Sequence, residues 1–252
     1  MSAREWDAAT YDRVSGPQVQ WARAVLDRLA LTGDETVLDA GCGSGRVTRM
    51  LLERLPRGRV IAVDASSSMV GQAREKLGER ADVRQVELTA LDLAAEVDAV
   101  FSNAVFHWVG DHDSLFARLH AALRPGGRLV AQCGGAGNVE RFHAAAAEVG
   151  AQQPFARYLG GWDGPWNFAG PEETRERLSA AGFEGIEVGL EPSAVVPEFT
   201  LEYLRTVCLG HHVERLPEGL RDGYVGAVAD RCGQPVELDY VRLNILARRP
   251  SA

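Results

Sequence analysis

Residues 37–45 (VLDAGCGSG) place an acid and three glycines at the end of an apolar stretch. Because glycine has no Cβ, its backbone can approach a ligand closely, and the start of a following helix offers free N–H groups. The spacing GxGxG of Gly41, Gly43 and Gly45 differs from the GxGxxG of dinucleotide sites. Asp39 would repel a pyrophosphate but could accept a hydrogen bond from an ammonium group. The segment therefore favours a nucleoside that carries an amino acid, although a plain tight turn has a similar composition.

A second acid, Asp64, directly follows the apolar residues 59–63 (RVIAV). A carboxylate at the end of a strand can accept hydrogen bonds from both hydroxyls of a ribose. By itself Asp64 could equally cap the next helix. Beside the glycine segment, it favours the binding of a nucleoside.

Residues 101–109 (FSNAVFHWV) follow another apolar stretch and hold the first candidate for a general base, His107. An acceptor that must lose a proton, such as a phenol or an alcohol, would need a base of this kind. His211 and His212 are second candidates, provided that their segment folds over the site. A hydrogen-bonded structural histidine explains His107 as well.

Strand and helix patterns alternate five times between residues 36 and 132. This alternation predicts an α/β fold with a parallel sheet that is covered by helices on both faces. Further strands are expected at 185–190 and 236–247, and most of the remaining chain is interpreted as helical. Ligands of open α/β sheets bind at the carboxyl ends of the strands, where the glycine segment and Asp64 both lie.

The chain has 252 residues, which is long enough for one domain with a buried core, assigned to residues 1–252. The core is expected at about 32–135, 182–192 and 236–248. Two insertions, at about 138–166 and 200–231, are expected to pack together as a helical lid over the carboxyl edge of the sheet.

The composition argues against several classes of protein. A formal net charge of -8 and a pI near 5.3 disfavour nucleic acid and anionic membranes as partners. The cysteines are far apart and form no CxxC pair, so neither a zinc site nor a disulfide framework is predicted. No apolar stretch is long enough to span a bilayer, and the first residues lack the apolar core of a signal peptide. We therefore expect a cytoplasmic protein with a small-molecule partner and no metal; its oligomeric state is not predicted.

Three segments carry a resemblance to a known family: 37–45 (VLDAGCGSG), 60–66 (VIAVDAS) and 123–130 (LRPGGRLV). Over about residues 35–132 and the last two strands, the chain resembles the class I S-adenosylmethionine (SAM)-dependent methyltransferases. The resemblance implies SAM as cofactor and a Rossmann-like, seven-stranded doubly wound sheet with an antiparallel last strand and an inserted helical lid. It implies these cofactor contacts: Asp39, Gly41 and Gly43 at the methionine moiety, Asp64 at the ribose, and Ala65 and Met69 beside the adenine.

One position departs from the family pattern. An acid often follows the third strand in that family and contacts the adenine amino group, but this sequence has Thr89 with Ala90 beside it. Thr89 could still accept a hydrogen bond, and the backbone N–H of Ala90 could meet a ring nitrogen. Asn103, at the end of the fourth predicted strand, completes the expected cofactor contacts.

Three segments also resemble the group of the trans-aconitate and juvenile hormone acid methyltransferases: 106–109 (FHWV), 6–21 (WDAATYDRVSGPQVQW) and 165–183 (PWNFAGPEETRERLSAAGF). This resemblance implies that Trp108 and Gln18 donate hydrogen bonds to a substrate carboxylate and that Tyr11 closes over the pocket. Trp166 is expected to form part of the pocket wall. Ordinary packing explains these aromatic side chains as well.

Our main hypothesis is a SAM-dependent methyltransferase that methylates an oxygen of a small organic carboxylic acid. A carboxylate is a nucleophile near neutral pH without a base, so proximity and alignment would supply most of the catalysis. Methyl transfer to a hydroxyl, an amine or a carbon of a natural product is the first alternative, and a non-catalytic SAM-binding protein is the second; a dinucleotide-dependent oxidoreductase is a distant third. The sequence assigns no arginine to a substrate with several carboxylates, which weakens trans-aconitate as the acceptor.

Overall fold

The computed structural model describes residues 5–251, apart from the side chains of Ala8 and Ala9. A seven-stranded sheet crosses it in the order β3-β2-β1-β4-β5-β7-β6. The strands are β1 Thr36–Ala40, β2 Arg59–Asp64, β3 Asp82–Gln85, β4 Val97–Asn103, β5 Leu123–Gly134, β6 Glu184–Pro192 and β7 Val241–Arg248. Strands β1 to β5 pair in parallel, whereas β7 is antiparallel to both β5 and β6. The predicted seven-stranded α/β sheet with an antiparallel last strand is confirmed.

Helices connect the strands and cover the sheet. They are α1 Ala8–Val14, α2 Gly16–Arg28, α3 Arg46–Glu53, α4 Ser67–Leu77, α5 His112–Ala122, α6 Glu140–Gly150, α7 Ala156–Leu159, α8 Pro171–Ala180, α9 Thr200–Tyr203, α10 Gly210–Arg215 and α11 Glu218–Cys232. Ser66 caps α4, because its hydroxyl accepts the backbone N–H of Met69 at 3.3 Å. Within residues 5–251, no helix combines the length and the apolar character that a membrane span requires.

The two faces of the sheet carry separate apolar clusters. Leu38 and Val63 belong to the cluster on one face, whereas their chain neighbours Val37 and Ala62 belong to the cluster on the other. Successive side chains of a strand point to opposite faces, so a strand with helices on both sides is apolar throughout. This explains why all of β1 is buried. The carboxyl end of β1 is thereby held rigidly, with the glycine segment directly after it.

A third apolar cluster joins the two segments that were expected to form a lid. Phe142 and Val149 of α6 belong to it together with Tyr224 and Val228 of α11. The two insertions therefore pack on each other beside the sheet. That they open and close as a lid stays a prediction.

The last strand was predicted to begin at Val236, but β7 begins at Val241. Val241 pairs with Pro192 at the end of β6, and Arg242 pairs with Gly134 at the end of β5. Residues before Val241 continue the alternating pattern but form only an isolated antiparallel bridge, in which the backbones of Leu238 and Val195 exchange hydrogen bonds of 2.8 and 3.0 Å. Their apolar side chains pack into the third cluster instead: Val236, Leu238 and Tyr240.

Candidate functional site

A cavity of about 460 Å³, including its open mouth, lies over the glycine segment and is called the glycine-loop cavity. Four predicted cofactor contacts line it: Asp39, Gly41, Gly43 and Asn103. They come from the carboxyl ends of β1 and β4, which are neighbours in the sheet. The structure therefore brings these four residues together as predicted.

A second cavity, of about 500 Å³ including its mouth, is called the aromatic cavity. Its wall contains five predicted residues: Tyr11, Gln18, His107, Trp108 and Trp166. Tyr11 and Gln18 line both cavities, so ligands in the two would lie against each other there.

The glycine loop is held in shape by backbone contacts. The N–H groups of Gly41 and Cys42 both donate to the carbonyl of Val63 at 2.9 Å. Gly41 has φ +90°, and a Cβ there would lie 2.2 Å from Cγ2 of Val105. Gly43 has φ +54°, but a Cβ there would meet open space. The first glycine is thus required by the packing of the protein, whereas the second leaves room at the cavity.

Asp64 connects the glycine loop to α4. One carboxylate oxygen accepts the N–H of Gly43 and the other that of Ser66, both at 2.9 Å. Burial raises the pKa of Asp64. The carboxylate therefore fixes the glycine loop. Asp64 is not among the residues that line either cavity, and its role at a ribose stays a prediction.

The remaining adenine-side predictions, Ala65, Met69, Thr89 and Ala90, do not line either cavity. The N-terminal segment covers the start of α4: the carboxylate of Glu5 accepts the N–H groups of Ser67 and Ser68 at 3.1 and 3.0 Å. These hydrogen bonds hold the pKa of Glu5 at about 2. An adenine at α4 would therefore require this segment to move.

The suggested role of Ala90 is wrong in this conformation. Its N–H donates to the carbonyl of Glu87 at 2.9 Å within a 3-10 turn, Leu88–Ala90. The group is therefore already used and does not face a ring nitrogen. The hydroxyl of the half-buried Thr89 stays a prediction.

The buried end of the glycine-loop cavity is rich in acceptors. Asp39 is 2% exposed and accepts the hydroxyl of Thr48 at 2.7 Å. The side-chain oxygens Oδ1 of Asn103 and Oε1 of Gln18 are buried without a hydrogen-bond partner in the described part of the chain. Buried oxygens normally have partners, and an ammonium group would supply donors to all three residues. Arg46 lines the same cavity and would suit a carboxylate. The residues present therefore fit the amino-acid end of the predicted cofactor.

Cofactor affinity is expected to depend on pH through Asp39. Burial raises the pKa of Asp39 to about 7, so the empty site holds much of this group protonated at neutral pH. An ammonium ligand favours the ionised form, so binding releases a proton and the affinity rises as the pH increases towards the folded pKa. Below pH 7 we expect the dissociation constant of S-adenosylhomocysteine to increase by up to about tenfold per pH unit. Calorimetry between pH 5 and about 8 measures this, and Asp39→Asn should remove the dependence. A pH-independent affinity of the unaltered protein would contradict it.

Rings from separate elements form the wall of the aromatic cavity. Trp108 lies 6.1 Å from Trp166 and 5.7 Å from Trp6, measured between ring centroids. Gly164 makes room for Trp166, since a Cβ there would lie 1.9 Å from the indole. Val139, another lining residue, has φ +47°, which strains a β-branched residue. Strain of this kind is typical of functional sites.

His107 is placed at the cavity, but its geometry opposes the role of general base. Its Nδ1 accepts the backbone N–H of Gly134 at 3.2 Å. Burial lowers the pKa of His107 well below its usual range, so the ring is neutral and carries its proton on Nε2. A neutral ring of this tautomer donates a hydrogen bond from Nε2.

Gln18 is also placed at the cavity. Its Nε2 donates one N–H group to the hydroxyl of Tyr203 at 2.9 Å, and that hydroxyl is 2.7 Å from the hydroxyl of Tyr240. The oxygen Oε1 has no hydrogen-bond partner in the described part of the chain, and the amide nitrogen carries a second N–H group. That Gln18 donates to a substrate carboxylate stays a prediction.

The sequence analysis missed Arg242, which lines the aromatic cavity and is 2% exposed. Its guanidinium lies 4.2 Å from the ring centroid of Trp21. Its Nε donates to the amide oxygen of Gln132 at 3.4 Å, while Nη2 has no partner in the described part of the chain. Within residues 5–251 no carboxylate forms an ion pair with it. A buried cation without a counter-ion is costly, so Arg242 is a candidate for binding an anion.

Within the described residues, no group of three or more histidine, cysteine, aspartate or glutamate side chains is arranged to hold a metal ion. Asp111, which neighbours the histidines in sequence, caps α5 by accepting the N–H of Ser114 at 2.9 Å.

Comparisons with known proteins agree with this geometry. The family model described as a methyltransferase domain matches residues 38–129. A trans-aconitate 2-methyltransferase of Variovorax paradoxus (strain S110) is 31% identical over 255 residues, which covers 97% of this chain and 96% of that protein. One of the same name from Azoarcus sp. (strain BH72) is 41% identical over 127 residues, which is 50% of each chain.

Solved structures share the fold at low identity. Phosphoethanolamine N-methyltransferase 2 of Haemonchus contortus has a TM-score of 0.64 at 20% identity, covering 96% of this chain and 57% of that one. The cyclase SpnF has a TM-score of 0.61 at 20% identity, covering 93% and 82%. Since the two names describe different reactions, these similarities show the fold alone.

The relative from Variovorax paradoxus matches nearly the whole length of the chain, and the matched family model contains the glycine loop. The chain therefore belongs to the class I SAM-dependent methyltransferases, in the group that contains the trans-aconitate 2-methyltransferases.

Proposed function

We propose that the protein transfers the methyl group of SAM to a carboxylate oxygen of a small organic acid that is bound by Arg242. The observation that carries this proposal is the buried guanidinium without a carboxylate partner in the wall of the aromatic cavity, within the part of the chain that the structure describes. A guanidinium recognises a carboxylate through two parallel hydrogen bonds. The name of the curated relatives, trans-aconitate 2-methyltransferase, also describes transfer to an organic acid.

A chain of amides holds Arg242 in place. Glu191 accepts from Nδ2 of Asn244 at 3.0 Å, Oδ1 of Asn244 accepts from Nε2 of Gln132 at 2.8 Å, and Oε1 of Gln132 accepts from Arg242. A carboxylate only accepts and a guanidinium only donates, so the two ends fix the orientation of both amides. The chain uses Nε of the guanidinium and leaves its terminal nitrogens for the cavity.

The chain's own residues then bind, orient and exclude water. When bound, SAM supplies a methyl group on a sulfonium, whose departure as a neutral thioether needs no acid. Asp39, Asn103 and Asp64 would hold the amino-acid and ribose parts, and Arg242 would align the carboxylate where the two cavities meet. We propose that the insertions 138–166 and 200–231, with α1, close over both ligands as a lid.

His107 would act as a hydrogen-bond donor and not as a base. We expect His107→Gln, whose amide can still accept the N–H of Gly134, to lower kcat/KM for an acid by less than about tenfold, whereas the loss of a general base costs about a hundredfold or more. With SAM saturating, so that Asp39 is already ionised, the activity with an acid should also stay level between about pH 7 and 9, because the acceptor has no proton to lose. If His107→Gln lowered kcat/KM by more than about a hundredfold with cofactor binding intact, His107 would be the general base.

The class of acceptor is tested with matched compounds. Purified protein and SAM are incubated with three compounds that share one scaffold: a carboxylic acid, its primary amide and the corresponding alcohol. A phenol, an amine and trans-aconitate are tested in parallel. The release of S-adenosylhomocysteine measures turnover. We expect turnover of acids only. Turnover of the phenol or the amine without any acid would overturn the proposal.

A further inference from the structure

The aromatic cavity carries one permanent charge. Among the described side chains that line it, Arg242 alone is charged at neutral pH. Its imidazoles are neutral, because burial lowers the pKa of His107 well below its usual range and that of His143 to about 4. No aspartate or glutamate is among these lining residues. The cavity can therefore neutralise one carboxylate and offers no cation to a second one.

The rest of the wall consists largely of flat rings. The planes of Trp166 and Phe168 lie within 7° of parallel, with centroids 6.2 Å apart. Trp108 stands beside Trp166, and Trp21 stacks on Arg242 itself. Ring faces gain most from the burial of a flat, apolar partner. If the rest of the substrate carried further charges, these would lose their hydration against the ring faces without gaining an ion pair.

We propose, resting on the function proposed above, that the acceptor is a monocarboxylic acid with a flat, apolar, conjugated or aromatic body, and that a tricarboxylic acid such as trans-aconitate is a poor acceptor. The single carboxylate binds to Arg242, and the body lies among Trp108, Trp166 and Phe168. In the reaction a carboxylate oxygen forms a bond to the methyl carbon, the carbon–sulfur bond breaks, its electron pair stays on sulfur, and no proton is transferred.

The test compares acids that differ in one property at a time. Cinnamate is flat with one carboxylate, 4-carboxycinnamate adds a second one, nonanoate has the same carbon count without a ring, and trans-aconitate has three carboxylates. Binding to the protein loaded with S-adenosylhomocysteine is followed by tryptophan fluorescence, and kcat/KM is measured with SAM. We expect both the affinity and kcat/KM of cinnamate to exceed those of 4-carboxycinnamate and trans-aconitate by on the order of 100-fold. Both should exceed those of nonanoate by about tenfold.

The wall is tested separately with Trp166→Leu. This variant should reduce the preference for cinnamate over nonanoate while both acids still turn over, a ratio that a general loss of folded protein would not change. A preference for trans-aconitate or 4-carboxycinnamate over cinnamate would overturn this inference and leave the transfer to acids standing. Binding and turnover of phenols or amines with no acid accepted would instead overturn the proposed function itself.

Discussion

Arg242→Met is expected to lower kcat/KM for the acid by about 100-fold to 1,000-fold, because the carboxylate loses its buried, hydrogen-bonded counter-charge. The same variant is expected to melt at an equal or higher temperature. The guanidinium is 2% exposed and has no carboxylate partner among the described residues, so removing its charge also removes a desolvation cost. Methionine keeps an apolar stem against Trp21. Activity and stability should thus change in opposite directions.

Steady-state kinetics with the best acid and a thermal melt measure these two effects. Arg248→Met is the matched control, since Arg248 lies at the exposed end of the same strand. The affinity for S-adenosylhomocysteine should stay within about twofold in both variants, well under the tenfold that 1.4 kcal/mol represents. If Arg242→Met turned over the acid at the rate of the unaltered protein, the carboxylate would not bind there. A large drop in melting temperature would give Arg242 a structural role instead.

Gly41→Ala is expected to destabilise the protein by about 3 to 5 kcal/mol, whereas Gly43→Ala should cost about 1 kcal/mol. At Gly41 the backbone has φ +90° and the added Cβ would lie 2.2 Å from Val105. At Gly43 the backbone is also left-handed, with φ +54°, but the Cβ would meet nothing within 4 Å. Its methyl group would instead occupy space in the glycine-loop cavity. Gly43→Ala should therefore weaken cofactor binding strongly in a protein that remains folded.

Urea unfolding and calorimetry with S-adenosylhomocysteine separate the two glycines. The expected pattern is a stability defect at Gly41 and an affinity defect at Gly43. Equal stability of the two variants would contradict the packing of Val105 against Gly41. An unchanged affinity in Gly43→Ala would mean that the cofactor does not approach the loop at that position.

The sheet and the glycine loop could be predicted because their signals are local. A strand buried on both faces is a continuous apolar run, and the loop after β1 has glycine at the alternate positions 41, 43 and 45, where φ is positive. The cap of α4 at Ser66 is local in the same sense. Asp39 and Asn103 therefore reach the glycine-loop cavity as expected, since each lies at the carboxyl end of a predicted strand.

Arg242 could not be predicted because its role depends on contacts from distant parts of the chain. Alternation along β7 does not tell which face meets a cavity. The partners Trp21 and Gln132 come from α2 and β5, which are far from Arg242 in the sequence. The orientation of Gln18 has the same cause, since it is set by Tyr203 across the fold.

The most direct test of the central claim is the bond that the enzyme makes. Protein, SAM labelled with carbon-13 in its methyl group and the best acid are incubated, and the product is examined by mass spectrometry and carbon NMR before and after mild alkaline hydrolysis. Our account predicts a labelled methyl ester that alkali converts back to the acid with release of labelled methanol. A labelled product that resists alkali, with the methyl group on carbon, nitrogen or an ether oxygen, would contradict methyl transfer to the carboxylate.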